Sequence, residues 1–181
     1  MLPLLIRARR QSSDRYPATA EVNSVPLRGT TRTLDGRICL HRLIVYGVDS
    51  PVDNGQFNAL FAAGWPGHPW TDFESELPYC LLHVCAYDGE HLIGFVKLAW
   101  DGGVHGFILE PVVRPDYRRR GVGTRLIGEA VAAADAHGLH WLHVDFEPGL
   151  LPFYQRCGFQ PTDAGLIRLG QTQSSRPFDG M

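Results

Sequence analysis

The stretch RPDYRRRGVGTRL (114–126) sets three consecutive arginines, Arg118, Arg119 and Arg120, against Gly121-Val122-Gly123, with Thr124 next. Two glycines let a backbone approach a ligand without Cβ atoms in the way. Arginine offers planar donors matched to phosphate oxygens. A helix starting here adds its unpaired first N–H groups and the positive end of its dipole. The chemistry these residues suit is the holding of a phosphate or pyrophosphate. A P-loop would end in Gly-Lys-Ser/Thr, whereas Thr124-Arg125 follows Gly123. A dinucleotide fingerprint would carry a third glycine where this chain has Leu126. Alone, a Gly-x-Gly also suits a tight turn with solvated arginines.

Elements on both sides position this turn. ICLHRLIVYGV (38–48) reads as a strand. DNGQFNALFAAGW (53–65) reads as a short helix capped by Asp53 or Asn54 and closed near Gly64. PGHPWTDFESELPY (66–79) predicts a loop and a second short helix, with Thr71 or Asp72 as cap. Two β-rich runs around Asp88-Gly89 predict a hairpin. GGVHGFILEPVV (102–113) is a further strand, and Pro111 within it requires a bulge or a break in the ladder. Val122, Leu126, Ile127, Ala130, Val131 and Ala134 recur at helical spacing, which predicts a helix over 122–136 ended by Gly138. LHWLHVDFE (139–147) is a strand, GLLPFYQRCGF (149–159) a short helix, and GLIRLG (165–170) a last strand. Antiparallel hairpins followed by one strand–helix–strand unit predict an α+β fold with a mixed, α/β-type sheet.

The chain of 181 residues fits one domain with tails. Residues 1–37 carry seven arginines against Asp14, Glu21 and Asp35 and have no sustained apolar period, so they read as a flexible N-terminal tail. The domain then spans 38–170, with a C-terminal tail over 171–181. Net charge is −2, which disfavours a protein that coats nucleic acid. Lys97 is the only lysine, a pattern of GC-rich coding that says little about activity. The cysteines Cys39, Cys80, Cys85 and Cys157 form no CxxC pair and match no zinc spacing, so they read as thiols of a reducing cytoplasm. No apolar run is long enough to span a bilayer, and the start lacks the order of a signal peptide. The expectation is a cytoplasmic protein with no nucleic-acid, membrane or metal partner.

Two signatures in the right order lift the glycine turn above a lone motif. VVRPDYRRRGVGTRLI resembles the coenzyme-A signature of the GNAT acetyltransferase superfamily, Arg/Gln-x-x-Gly-x-Gly/Ala, filled by Arg118, Gly121 and Gly123. PFYQRCGF resembles the family's second signature through Tyr154, Gly158 and Phe159. The resemblance covers about 38–169. It implies a GNAT-like fold with splayed central strands, here 104–113 and 139–146, flanked by helices. It implies acetyl-CoA as co-substrate, with its pantetheine arm against Val112 and Val113. Its pyrophosphate would rest on the N–H groups of Arg119, Arg120, Gly121, Val122, Gly123 and Thr124.

The implied activity is N-acetyl transfer to a primary amine of a small molecule or peptide within a ternary complex. The alternative is an acyl-CoA-binding sensor without turnover. Tyr154 stands where the family's acid toward sulfur lies; a core tyrosine is its plainer role. Glu110 is either the base, directly or through water, or a carboxylate that binds the acceptor. His105 lies five residues from Glu110, roughly 17 Å along an extended chain, and reads as structural or at the mouth. In WLHVDFE, Trp141, His143, Asp145 and Glu147 share one face. Asp145 can reach the splayed region, and Glu147 stands where many relatives carry an Asn that touches cofactor or acceptor. Trp65, His68 and Trp70, with Asp72 and Phe73, offer an acceptor wall suited to a cation or ring, or plain helix packing. A homodimer stays open.

Overall fold

The computed structural model describes residues 43–167 and Leu169. The N-terminal tail, the first residues of the expected first strand, Cys39 and the C-terminal tail lie outside the described residues. The order is β1 (Ile44–Val48), α1 (Asn54–Gly64), α2 (Phe73–Glu76), β2 (Leu82–Asp88), β3 (His91–Trp100), β4 (His105–Val113), α3 (Val122–Ala136), β5 (Trp141–Val144) and α4 (Leu151–Arg156). Short 3-10 turns precede β2, α3 and α4. The chain divides into two compact units, one reaching Asp145 and the other beginning at Phe146.

In the first unit the five strands lie side by side in chain order. The first four pair antiparallel, and β5 pairs parallel with β4 after the α3 crossover. The mixed sheet expected from the sequence is therefore the fold. The antiparallel run β2–β3–β4 follows from short turns: Asp88 faces His91 across Gly89-Glu90, with Gly89 at φ +61°, whereas β1 joins β2 through α1 and α2. The parallel step requires a helix-length connection, which α3 supplies.

Both sheet faces are covered. Phe57, Leu60 and Phe61 of α1 and Phe73 of α2 pack with Cys85 and Phe95 in one buried cluster. α3 brings its buried stripe of Val122, Leu126, Ile127, Ala130 and Ala134 to the opposite face, where Leu126 and Val122 close over Gly94. Each fully buried Leu or Ile of that stripe contributes about 1.5–3 kcal/mol.

The irregularity at Pro111 is a β-bulge. Phe95 faces Val112 and Lys97 faces Leu109, so Glu110 and Pro111 stand opposite the single residue Val96. Glu110 takes a left-handed φ of 54° to make the extra step. The expected last strand is not found. Gly165, Leu166 and Ile167 are exposed and lie in no strand, and Arg168 and Gly170 fall outside the described residues. An apolar run predicts a strand only where a neighbouring edge is available to pair with it.

Candidate functional site

The glycine turn lies at the N-terminus of α3, and that end is open. Asp53 caps α1 by accepting from Gln56 N at 2.7 Å, and Asp72 caps α2 by accepting from Ser75 N at 3.3 Å. The N-cap of α3 is Gly121, which has no side chain to accept a bond. The first intrahelical bond runs from Arg125 N to Gly121 O. The N–H groups of Val122, Gly123 and Thr124 therefore have no partner within the helix. Arg119 and Gly121 both take left-handed φ, 62° and 82°. Such turns let successive N–H groups face one concavity. A Cβ built at Gly121 meets nothing within 4 Å, so the φ demands glycine while the space stays open. The residues present fit a pyrophosphate.

The arginines divide their work. Arg118 Nε donates to Val113 O at 3.1 Å and its Nη2 to Gly64 O at 3.0 Å, tying the end of β4 to the end of α1. The approach needs Gly64, because a Cβ there would fall 2.3 Å from Val112 Cγ2. Two donors of Arg118 are thus committed to the frame. The Arg120 guanidinium lies over the Tyr117 ring at 5.4 Å, and Tyr117 OH donates to Asp88 Oδ2 at 2.7 Å. Arg119 and Arg120 are exposed beside the open N–H groups.

Beside the cradle the sheet opens. β5 pairs with β4 only from His105 to Ile108, where Val144 is the last partner. Val112 and Val113 still pair with β3 on one side, but not with β5 on the other. This is the splay expected from the resemblance, within the first unit. Val112 is buried and Val113 half-buried.

Glu110, on the bulge, is paired. Its Oε2 accepts from Lys97 Nζ at 2.9 Å, and Lys97 also donates to Glu76 Oε1. Burial lowers the pKa of Lys97, but bonds to both carboxylates and their charges more than reverse this, so the ammonium is held above its usual value. Cys80 feels all three charges, and its thiol is raised, chiefly by burial. The sequence reading passed over Lys97 and Glu76. The available signal was one charge inside the apolar run LIGFVKLAW.

The aromatic wall is partly packing. Trp65 meets Phe61 edge-on at 5.2 Å, and His68 lies 4.8 Å from Phe61 and stacks on Phe73 at 6.4 Å. Trp70 is 70% exposed. On β5, Trp141 and His143 are exposed and alternate with half-buried Leu142 and Val144, as the sequence predicts. His105 Nδ1 and His143 Nε2 share a hydrogen bond at 2.9 Å, a contact set by the parallel register. Asp145 follows β5 and is exposed. Among the described residues no group of three or more His, Cys, Asp or Glu side chains can hold a metal ion. Nor is any helix among them long and apolar enough to cross a membrane. Cys80, Cys85 and Cys157 are free thiols.

The second unit carries Tyr154 and Glu147. Tyr154, in α4, is 2% exposed; its ring stacks on Phe146 at 4.6 Å and meets Phe153 and Phe159 edge-on. Burial, and next Cys157, raise its pKa above the usual phenol value. Gly158 at φ +94° turns the chain so that Phe159 N donates to Tyr154 O. The Tyr–Gly–Phe signature is thus a local packing unit around one buried phenol. Glu147 is exposed, and its carbonyl accepts from Leu150 N in the turn that leads to α4.

Over residues 54–159 the sequence matches the Acetyltransferase (GNAT) family. A mycothiol acetyltransferase of Nocardia farcinica is 41% identical over 69 residues, 38% of this chain and 22% of that protein. One of Rhodococcus opacus is 30% identical over 76 residues, 42% of this chain and 25% of that protein. The matches thus span a quarter or less of the length of these relatives. A GNAT-family acetyltransferase of Streptococcus pneumoniae superposes with a TM-score of 0.56 at 24% identity, covering 70% of this chain and 99% of that one. The enzyme AAC(6')-Iy, bound to the bisubstrate analogue CoA-S-monomethyl-acetylneamine, gives 0.58 at 20% identity, covering 71% and 99%. At these identities the structural likeness is one of fold. The family match covers more than half of the chain, which belongs to the GNAT acetyltransferase family.

Proposed function

We propose that this GNAT acetyltransferase moves the acetyl group of acetyl-CoA to a primary amine of a small molecule or peptide, by direct attack in a ternary complex in the cytoplasm. One observation carries the reading: a 15-residue helix is left uncapped beside a sheet edge left unpaired. The N–H groups of Arg119 to Thr124 suit the pyrophosphate, with Arg119 and Arg120 adding charge. Val112 and Val113 offer backbone partners to the pantetheine arm. Glu147 is assigned to the cofactor side. Trp65, His68, Trp70 and Asp145 are assigned to the acceptor side, and the CoA–acetylneamine analogue bound by AAC(6')-Iy supports an amine acceptor.

In the step itself the amine nitrogen attacks the thioester carbonyl carbon, the C–N bond forms and the C–S bond breaks. The amine proton leaves to Glu110, directly or through water, or Glu110 anchors the acceptor's ammonium while water takes the proton. Tyr154 gives its proton to the departing thiolate. Burial raises its pKa, so the phenol carries its proton at neutral pH as an ordinary tyrosine does, and the role rests on its place in the Tyr–Gly–Phe signature.

The second reading, a sensor that binds acyl-CoA without turnover, draws on the pairing of Glu110 with Lys97. Calorimetric titration with acetyl-CoA, followed by thiol release in the presence of spermidine, neamine and a peptide N-terminus, separates the cases. Binding with turnover is expected. Binding without turnover across a broad amine panel supports the sensor, and no binding overturns both.

A further inference from the structure

Lys97 is the only lysine among the 17 Lys and Arg residues of the chain. It is 4% exposed in the middle of β3, between the buried Val96 and Leu98. An unpaired ammonium there would carry a large desolvation penalty, which paired carboxylates offset. Two carboxylates meet it from separate elements: Glu76 at the end of α2 and Glu110 on the β4 bulge. Their side chains stay 42% and 37% exposed, whereas that of Lys97 is 5% exposed. The trio therefore buries its positive charge and presents its carboxylates outward.

The bulge makes this pairing consequential. At φ 54°, Glu110 is out of the regular ladder, so strand pairing does not fix where its carboxyl points. Lys97 has Leu109, the residue before Glu110, as its cross-strand partner, and its Nζ lies 2.9 Å from Glu110 Oε2. It engages Oε2 and leaves Oε1 for another donor. The charged and titratable groups facing Glu110 are Lys97 from β3, Glu76 from α2 and the Cys80 thiol ahead of β2.

Resting on the acetyltransferase reading, we infer that Lys97 is the positioning residue of Glu110: its ammonium, anchored by Glu76, fixes the Glu110 carboxylate at the bulge, with one oxygen turned to the incoming amine. Glu76, at the end of α2, ties that helix to the same ammonium.

The test uses the full chain without added tags, labelled with 13C at glutamate side-chain carboxyls and at lysine Cε. Lys97 then gives the single lysine signal, and loss of a resonance in E110Q assigns Glu110. In K97M the Glu110 carboxyl signal should move away from its parent position, because the ion pair that holds it is gone. Turnover should fall by about tenfold or more, while acetyl-CoA affinity is unchanged. K97R should restore most of both. Folded K97M whose Glu110 signal and turnover match the parent's would overturn the inference. Should K97M not fold, E76Q decides: Glu110 and Lys97 signals unchanged from the parent refute the anchored trio, and displaced signals support it. A parent that fails to bind acetyl-CoA, while its Glu110 signal responds to K97M, sinks the acetyltransferase reading and leaves the Lys97–Glu110 relation standing.

Discussion

Tyr154 and Glu110 divide the proton traffic of the proposed reaction, and each makes its own prediction. Tyr154→Phe keeps the ring that stacks on Phe146 and removes only the O–H. Turnover should fall by about tenfold to a thousandfold, with acetyl-CoA affinity unchanged by calorimetry. Full activity in this variant would leave solvent as the donor to sulfur. Glu110→Gln separates base from anchor. If Glu110 takes the proton, the acidic limb of the pH–rate profile is lost. If it holds the acceptor, the KM for the amine rises and the profile keeps its shape. Both candidates were named from the sequence, Tyr154 through its spacing to Gly158-Phe159 and Glu110 through its place before Pro111, and their roles stand as proposals. Lys97 was not. Its partner Glu76 stands 21 residues earlier in another element, and a pairing across elements leaves no local pattern. A lone lysine in an apolar strand reads equally well as an edge charge.

At the scale of elements the helix ends are the informative feature. α1 and α2 each close their first turn with an aspartate, while α3, the longest helix among the described residues, leaves its first turn to a glycine. Asp53→Ala should therefore cost about 0.5–2 kcal/mol in chemical denaturation, the usual value of a lost cap, and leave acetyl-CoA binding intact. Gly123→Leu should do the reverse. Position 123 lies inside the first turn of α3, where a leucine keeps helical geometry but extends a side chain toward the pyrophosphate. Binding should be lost while the melting temperature changes little. Folded Gly123→Leu that binds as the parent does would refute the cradle. The ends of α3 were readable from the sequence because apolar spacing, a leading Gly-x-Gly and Gly138 agree on them. The bulge was readable because Pro111 cannot donate to a ladder. The expected strand over 165–170 had only apolar character in its favour, and strand pairing depends on a free edge that composition does not report.

For the molecule as a whole, the parallel pairing of β4 and β5 was legible because a single helix joins them, whereas β1 and β2 pair antiparallel across a connection that holds both α1 and α2. The division at Asp145 was not, since no change of composition marks it. We propose that residues 1–37 are dispensable: a chain starting at Ile38 should keep the parent's melting temperature and acetyl-CoA affinity, and a large loss of either would give the segment a structural role. The last prediction concerns alkaline stability. Burial pushes the Cys85 thiol up to about 12, and it also raises Tyr87, which feels Cys85 as well. Below the unfolded-state values of about 8.5 for thiol and 10 for phenol, both groups are protonated in either state. As pH rises past about 8.5, the unfolded chain releases the Cys85 proton while the folded chain keeps it. Each further pH unit then removes about 1.4 kcal/mol from the stability of the fold, roughly 2 kcal/mol by pH 10. The melting temperature, followed by circular dichroism from pH 7 to 10, should decline from about pH 8.5. Cys85→Ala lowers the starting value by shrinking a buried side chain, but it removes the titrating thiol, so its decline should be shallower over the same interval. Parallel curves for the two proteins would show that Cys85 does not set the alkaline limit, and would leave the other thiols and the phenols to account for it.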